Sequence, residues 1–150
     1  YGQDDFAKGR DTRMGLDEDG IKADVQAAID EAGKTGKVGI VGYCFGGFVS
    51  WLGACQCDGL SAASTFYGGG IHAKREDTPK IPVIFNFGDK DGGIPLSQVH
   101  EIKEAHPDIP CYVYDDSGHG FCCDERESYN QGACERGHTR TLELFGQHLS

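Results

Sequence analysis

Basic residues are scarce in this 150-residue sequence, since 14 Lys and Arg stand against 24 Asp and Glu and give a formal net charge of −10. Nucleic acids and anionic membrane surfaces are bound by basic faces, so this balance argues against both as partners. No apolar run approaches the roughly 18 residues that a transmembrane helix needs. No signal peptide is visible, although the sequence starts at Tyr1 rather than at Met.

The cysteine patterns typical of disulfide scaffolds and zinc sites are also missing. The seven cysteines form an odd set without regular spacing, which favours reduced thiols in the cytoplasm. The sequence has no C-x-x-C pair and no H-x-x-x-H pattern, and the pairs Cys55/Cys57 and Cys122/Cys123 are spaced too closely for typical zinc ligands. We therefore predict no metal site. A redox role for the vicinal Cys122 and Cys123 is a weaker alternative, because thiol exchange sites use C-x-x-C.

What the sequence does contain is an alternation of apolar strands and amphipathic helices. Residues 1–16 are polar and aperiodic, which predicts a loop or a frayed start, and helical spacing begins at Asp17 and ends near Gly33. Further helices are predicted after Cys44, before Pro107 and over Thr139–Leu149. The predicted strands are "KVGIVGY", "AASTFYGG", "IPVIFNFG" and "IPCYVYDD". This order predicts a single α/β domain over residues 1–150 with a mostly parallel sheet covered by helices.

The segment Gly42-Tyr43-Cys44-Phe45-Gly46 lies where the first strand becomes a helix. It has the G-x-nucleophile-x-G form of a sharp elbow, in which the residues two before and two after the nucleophile must be small. A helix N-terminus favours the thiolate of Cys44, and the N–H of Phe45 is placed to donate to an oxyanion. The alternative is a buried structural cysteine beside glycines that allow close helix packing.

A thiol nucleophile needs a base, and the base needs a carboxylate that orients it. Both residue types follow later strands in the order nucleophile, acid, histidine. Asp89 and Asp91 come after the third strand, and His119 lies between two glycines after the fourth. The spacing alone leaves the choice between the two aspartates open, and His119 could instead be an ordinary solvated histidine.

Three segments, "VGIVGYCFGG", "FGDKDGGIP" and "SGHGFCCDERESY", resemble the dienelactone hydrolase family, a cysteine-bearing branch of the α/β-hydrolase fold. The resemblance extends from Asp17 to the C-terminus. Through the family patterns G-x-x-D-x-x-x-P and G-H-x-F, it implies that Asp91 is the acid and His119 the base. It also implies a partial α/β-hydrolase-type fold with a sheet of about four strands flanked by helices.

The resemblance further implies hydrolysis of a small lactone or ester of the dienelactone type through an acyl-enzyme on Cys44, without a cofactor. Family members bind the substrate carboxylate with arginines. Arg126, seven residues after His119, is the candidate for this role, and Arg13 or Arg10 could supply a second contact. A solvated surface arginine is the alternative for Arg126.

The resemblance is incomplete at the N-terminal side, because Cys44 has only 43 residues before it. The first four strands of the family fold, the loop of its second oxyanion donor and a family glutamate have no counterpart in this sequence. A truncated, weakly active relative that serves as a folding or binding unit is therefore the alternative function. The same truncation would place "KVGIVGY" at a sheet edge, which predicts a homo-oligomer.

Overall fold

Four parallel strands form one sheet in the order β1-β2-β3-β4 in the computed structural model, which describes residues 3–150. The strands are β1 (Val38–Tyr43), β2 (Leu60–Phe66), β3 (Val83–Gly88) and β4 (Cys111–Tyr114). The helices are α1 (Gln3–Met14), α2 (Glu18–Ala32), α3 (Phe45–Gln56), α4 (Leu96–Ala105) and α5 (Gln131–His148), with a 3-10 turn at His72–Lys74. The predicted α/β class and all four predicted strands are confirmed.

The two central strands are almost entirely buried because helices cover both faces of the sheet, and they bury the polar side chains of Ser64, Thr65 and Asn86 along with their apolar ones. Every residue of β3 is buried, and so are six of the seven residues of β2. Trp51 from α3 is fully buried and lies 5.3 Å from the ring centre of Phe85 on β3. On α5, a Cβ at Gly137 would lie 2.6 Å from the ring of Phe66, so a glycine is needed for this helix to approach the sheet.

The prediction of a loop over residues 1–16 is wrong for residues 3–14, which form α1, while Tyr1 and Gly2 lie outside the described residues. This helix has no apolar stripe, so its periodicity gives no signal. Local interactions support it, such as the hydrogen bond from the Thr12 hydroxyl to the Lys8 carbonyl at 2.9 Å.

The last helix begins at Gln131, eight residues before the predicted start at Thr139. Asn130 caps its N-terminus by accepting a hydrogen bond from the Ala133 N–H at 3.1 Å. The buried face of its first half consists of small residues rather than large apolar ones, which explains why a search for large apolar residues at helical spacing missed it.

Strand β1 lies at one edge of the sheet and pairs only with β2 among the described strands. Its Val41 side chain is 41% exposed. In the described part of the chain, no helix combines the length and the apolar character needed to cross a membrane.

Candidate active site

The turn between β1 and α3 holds Cys44 in a strained conformation, with φ 56° and ψ −119°. A non-glycine residue with positive φ costs about 1–3 kcal/mol and persists only when its surroundings enforce it. Here the Cys44 N–H donates to the Phe66 carbonyl at 3.0 Å, and the Cys44 carbonyl accepts from the Gly47 N–H at 3.0 Å. Strand pairing on one side and helix initiation on the other therefore fix the thiol at the carboxyl edge of the sheet.

The glycines of this turn are not equally constrained. A Cβ at Gly42 would lie 1.9 Å from the Gly46 carbonyl oxygen, and one at Gly47 would lie 2.5 Å from the Phe66 carbonyl oxygen. A Cβ at Gly46 would meet nothing within 4 Å. The expectation that both flanking positions must be small is therefore right for Gly42 and wrong for Gly46. The backbone of Gly46 approaches Gly42 closely, while its own Cα faces open space.

We expect Gly42→Ala to destabilise the fold by at least about 3 kcal/mol, because the methyl group would collide with backbone that cannot move without opening the turn. In contrast, Gly46→Ala should be neutral or stabilising by up to about 1 kcal/mol, because alanine favours the helix and finds free space. Urea unfolding of both variants would measure these differences. Similar losses of stability in the two variants would contradict the role of this close contact.

The structure brings Cys44, His119 and Asp91 into one hydrogen-bonded chain. Nε2 of His119 lies 3.0 Å from the Cys44 Sγ, and Nδ1 of His119 lies 2.8 Å from Oδ2 of Asp91. The other carboxylate oxygen of Asp91 accepts from the N–H groups of Gly93 and Ile94 at 2.8 and 3.1 Å. Asp91 is only 5% exposed, so these contacts hold a buried carboxylate in one orientation.

The electrostatics of this chain favour charge separation between Cys44 and His119. The hydrogen bond with His119 lowers the pKa of the Cys44 thiol and outweighs the opposing effect of burial, and the Phe45 N–H adds a smaller contribution. Hydrogen bonds to Asp91 and Cys44 raise the pKa of His119 to about 9. Burial opposes ionisation of Asp91, but hydrogen bonds from His119 and the Gly93 N–H keep the pKa of its carboxyl below the ordinary value. Both pKa shifts favour the thiolate–imidazolium pair over the neutral pair, compared with the same two side chains free in water.

The neighbouring Asp89 stabilises the loop before His119, whereas Asp91 hydrogen-bonds the imidazole directly. Oδ1 of Asp89 accepts from the Ser117 N–H at 3.0 Å, so it fixes the loop that carries His119 rather than the imidazole itself. That hydrogen bond also lowers the pKa of the Asp89 carboxyl. The loop gains a second support from the Ser128 hydroxyl, which donates to the His119 carbonyl at 2.7 Å.

A cleft of about 210 Å³ opens above Cys44 and His119. It is lined by Tyr43, Cys44, Tyr67, His119, Gly120, Cys123 and Arg126. Sequence reasoning missed Tyr67, whose ring centre lies 5.2 Å from that of His119. Its position directly after β2 was a usable signal, because the carboxyl ends of parallel strands line the ligand crevice in such folds.

The structure places one of the three candidate arginines in the cleft and another beside the elbow. The Arg126 side chain packs against Gly120, where an added Cβ would lie 3.0 Å from the Arg126 Cδ. The positive charge of Arg126 makes a small contribution to lowering the pKa of the Cys44 thiol. The Arg13 guanidinium lies 4.8 Å from the ring centre of Phe45. Arg10 is exposed on α1 and is not among the residues that line the cleft.

A strained cysteine turn at the carboxyl edge of a parallel sheet, with histidine and aspartate following later strands, defines a protein of the α/β-hydrolase type. The model of the dienelactone hydrolase family matches residues 3–149, so the chain belongs to this family. The resemblance seen in the sequence is thereby confirmed.

Individual relatives agree with this assignment. A Yersinia pestis protein, named provisionally as a carboxymethylenebutenolidase, is 33% identical over 130 residues, which are 77% of this chain and 49% of that protein. The carboxymethylenebutenolidase of Pseudomonas putida is 28% identical, covering 83% of this chain and 55% of its own length. A Klebsiella pneumoniae crystal structure, named provisionally as a dienelactone hydrolase, is 27% identical with a TM-score of 0.75 over 84% of this chain and 60% of its own. The chain spans about half the length of the curated relatives it matches.

Proposed function

We propose that this chain hydrolyses small lactones or esters of the dienelactone (carboxymethylenebutenolide) type, with Cys44 as nucleophile, His119 as base and acid, and Asp91 as the residue that orients His119. The observation that carries the proposal is the continuous hydrogen-bonded chain from the Cys44 Sγ through His119 to the buried Asp91. This arrangement requires no cofactor, because the side chains themselves supply the nucleophile and the proton carrier.

In the first half of the proposed reaction, the Cys44 thiolate attacks the carbonyl carbon and a C–S bond forms. The carbonyl electron pair moves to oxygen, where the Phe45 N–H donates a hydrogen bond to the developing negative charge. The tetrahedral intermediate then collapses, the C–O bond to the leaving oxygen breaks, and that oxygen takes the proton from Nε2 of His119. The products of this half are a thioester on Cys44 and a neutral His119.

In the second half, neutral His119 accepts a proton from water while the water oxygen attacks the thioester carbon. The C–S bond breaks, the Cys44 thiolate leaves, and the acid product loses its proton to solvent at neutral pH. The enzyme returns to the thiolate–imidazolium pair with one water consumed. Asp91 holds the imidazole in position and stabilises its positive charge in both halves.

Mixing the protein with dienelactone and with a small chromogenic ester tests this proposal. Turnover together with an acyl adduct on the Cys44 peptide, detected by mass spectrometry after acid quenching, would support it. A folded protein that yields neither turnover nor adduct would refute it and favour the alternative of a folding or binding unit.

The thiolate–imidazolium pair also predicts selective labelling of one of the seven cysteines. At about pH 6.5–7, iodoacetamide should alkylate Cys44 first, because burial raises the pKa of Cys55 to about 12 and that of Cys111 to about 11 and keeps both protonated. Labelling should slow as the pH falls through the lowered pKa of Cys44. It should also slow in His119→Ala, which removes the main cause of the lowering. Peptide mapping that finds another cysteine labelled first would contradict the assignment.

We propose Arg126 as the residue that binds a substrate carboxylate. It lines the same cleft as Cys44 and is close enough to influence the thiol electrostatically. A guanidinium can hold a carboxylate through two parallel N–H donors, which is stronger than a neutral hydrogen bond.

We therefore expect Arg126→Gln to raise KM for the anionic dienelactone by about 10–100-fold, with a much smaller effect on KM for a neutral ester of similar size. Steady-state kinetics with both substrates would separate loss of carboxylate binding from general damage to the cleft. Arg75→Gln, at an arginine that does not line the cleft and pairs with Glu101, serves as the matched charge control. Equal effects on both substrates would contradict the role of Arg126.

We also infer that the free edge of β1 pairs with a second copy of the chain, since an unpaired edge strand is a template for association. Light scattering should then show a dimer or larger assembly, and a monomer with an ordered β1 would overturn this inference. We further propose a reducing compartment such as the cytoplasm, because an odd number of cysteines without regular spacing favours reduced thiols.

A further inference from the structure

Cys122, Cys134 and His138 form a cluster of possible metal ligands outside the Cys44–His119–Asp91 chain. Their ligand atoms all lie within 4.8 Å of one another. The Cys134 Sγ lies 3.8 Å from each ring nitrogen of His138, one turn further along α5. Cys122 comes from the loop after His119, so the cluster joins residues that the sequence separates.

We propose that these three side chains bind a thiophilic d10 cation of the zinc class. In a tetrahedral site with Zn–S near 2.3 Å and Zn–N near 2.0–2.1 Å, ligand atoms lie about 3.5–3.8 Å apart. The Cys134 Sγ lies at the upper end of this range from the ring nitrogens of His138, at 3.8 Å. All ligand atoms lie within 4.8 Å of one another, so side-chain movements of about 1 Å would complete the site. The sequence argument against zinc considered only ligand pairs close in sequence and therefore did not cover this cluster.

The chemistry of the donors selects the cation. Two thiolates and an imidazole favour Zn²⁺ and its soft relatives over Mg²⁺ or Ca²⁺, which prefer oxygen ligands. The spacing of Cys134 and His138, four residues apart on a helix, places both on one face. With three protein ligands, the fourth position of a tetrahedral site is left for solvent.

The surroundings provide both a path and an orienting partner. Cys134 is buried at 6% exposure, whereas His138 lies at the surface, so an ion can approach from the histidine side. The Tyr43 hydroxyl and Nε2 of His138 are 2.8 Å apart, which leaves Nδ1 for the ion. A hydrogen bond to the second ring nitrogen of a metal-binding histidine is the usual way to fix its orientation.

The position of the cluster gives a bound ion a structural consequence. Tyr43 directly precedes Cys44, and Cys122 lies three residues after His119. The ion would therefore connect α5 to the loop of His119 and, through Tyr43, to the end of β1. Binding replaces the two thiol protons, which pass to solvent, and no electron transfer is involved.

The test uses the full chain carrying Cys44→Ala, so that Cys44 cannot contribute a competing ligand, in a buffer with a non-thiol reductant. Titration with Zn²⁺ alone in a calorimeter should give one site per chain. Titration with Cd²⁺ should produce ultraviolet cadmium–thiolate absorption of the size expected for two thiolates. At a hundredfold excess of free Zn²⁺ over Kd, Tm should rise by about 5–10 °C.

Matched variants assign the site. Adding Cys134→Ala should weaken Zn²⁺ binding by at least about 100-fold, and His138→Ala, which changes a surface residue, by at least about 10-fold. Cys111→Ala removes a thiol on β4 and should leave the affinity unchanged.

The proposal is overturned if no cadmium–thiolate absorption appears, or if binding persists unchanged in the His138→Ala variant. It is equally overturned if the protein retains no Zn²⁺ while the reductant is present, and Cys122 and Cys134 simply form a disulfide once the reductant is removed. Because none of these measurements uses hydrolytic activity, their outcome is independent of the proposed reaction at Cys44.

Discussion

Replacement of Cys44 by alanine is expected to reduce kcat for hydrolysis of a small chromogenic ester by about 10⁴-fold or more. Nε2 of His119 lies 3.0 Å from the Cys44 Sγ. Removal of the Sγ leaves the imidazole without a nucleophile to activate. Water could occupy the vacated space, but it would lack the effective concentration of a positioned nucleophile.

This variant is informative because the turn should survive it. Alanine has the same Cβ as cysteine and meets the same strain at a φ of 56°, so the cost of the left-handed conformation is already included in the wild-type fold. Circular dichroism and Tm should therefore change little. Cys55→Ala, on the same helix but away from the cleft, is the control and should retain full activity. Equal rates in Cys44→Ala and the wild type would remove Cys44 from the mechanism.

The sheet could be predicted from sequence because buried parallel strands carry their own signal. β3 is apolar apart from Asn86 and runs from the residue after Pro82 to Gly88, so its bounds can be read from the sequence. The proximity of Cys44, Asp91 and His119 also follows from topology, since each comes just after the carboxyl end of a parallel strand and these ends meet at one edge of the sheet. Their hydrogen-bond geometry does not follow from topology and required the structure.

The features that residue spacing alone leaves undecided, or that sequence reasoning missed, depend on contacts between distant segments. Asp89 and Asp91 are two residues apart and have equal local chemistry, and only the path of the loop decides which one reaches His119. Cys122 meets Cys134 and His138 because α5 begins eight residues before its large apolar residues suggest. No local periodicity encodes either contact.

The second large effect is expected from Asp91→Asn, which should lower kcat/KM for ester hydrolysis by up to about 10⁴-fold while the fold is retained. The side-chain oxygen of asparagine can still accept hydrogen bonds from the N–H groups of Gly93 and Ile94, so the loop keeps these two hydrogen bonds. Its amide NH₂, however, would face Nδ1 of His119 and could only donate. The imidazolium would lose the contact that contributes most to raising its pKa to about 9.

Two further consequences make this prediction specific. Without a stable imidazolium, the thiolate of Cys44 loses its main support, so iodoacetamide labelling at neutral pH should slow in the same variant. The matched control is Asp89→Asn, because asparagine at that position can still accept from the Ser117 N–H and the carboxylate of Asp89 does not contact His119. Its kcat/KM should stay within about threefold of the wild type, as expected for a neutral acceptor at a solvent-accessible site. Equal losses in the two variants would mean that the negative charge of the loop, and not the hydrogen bond from Asp91 to His119, controls the thiol.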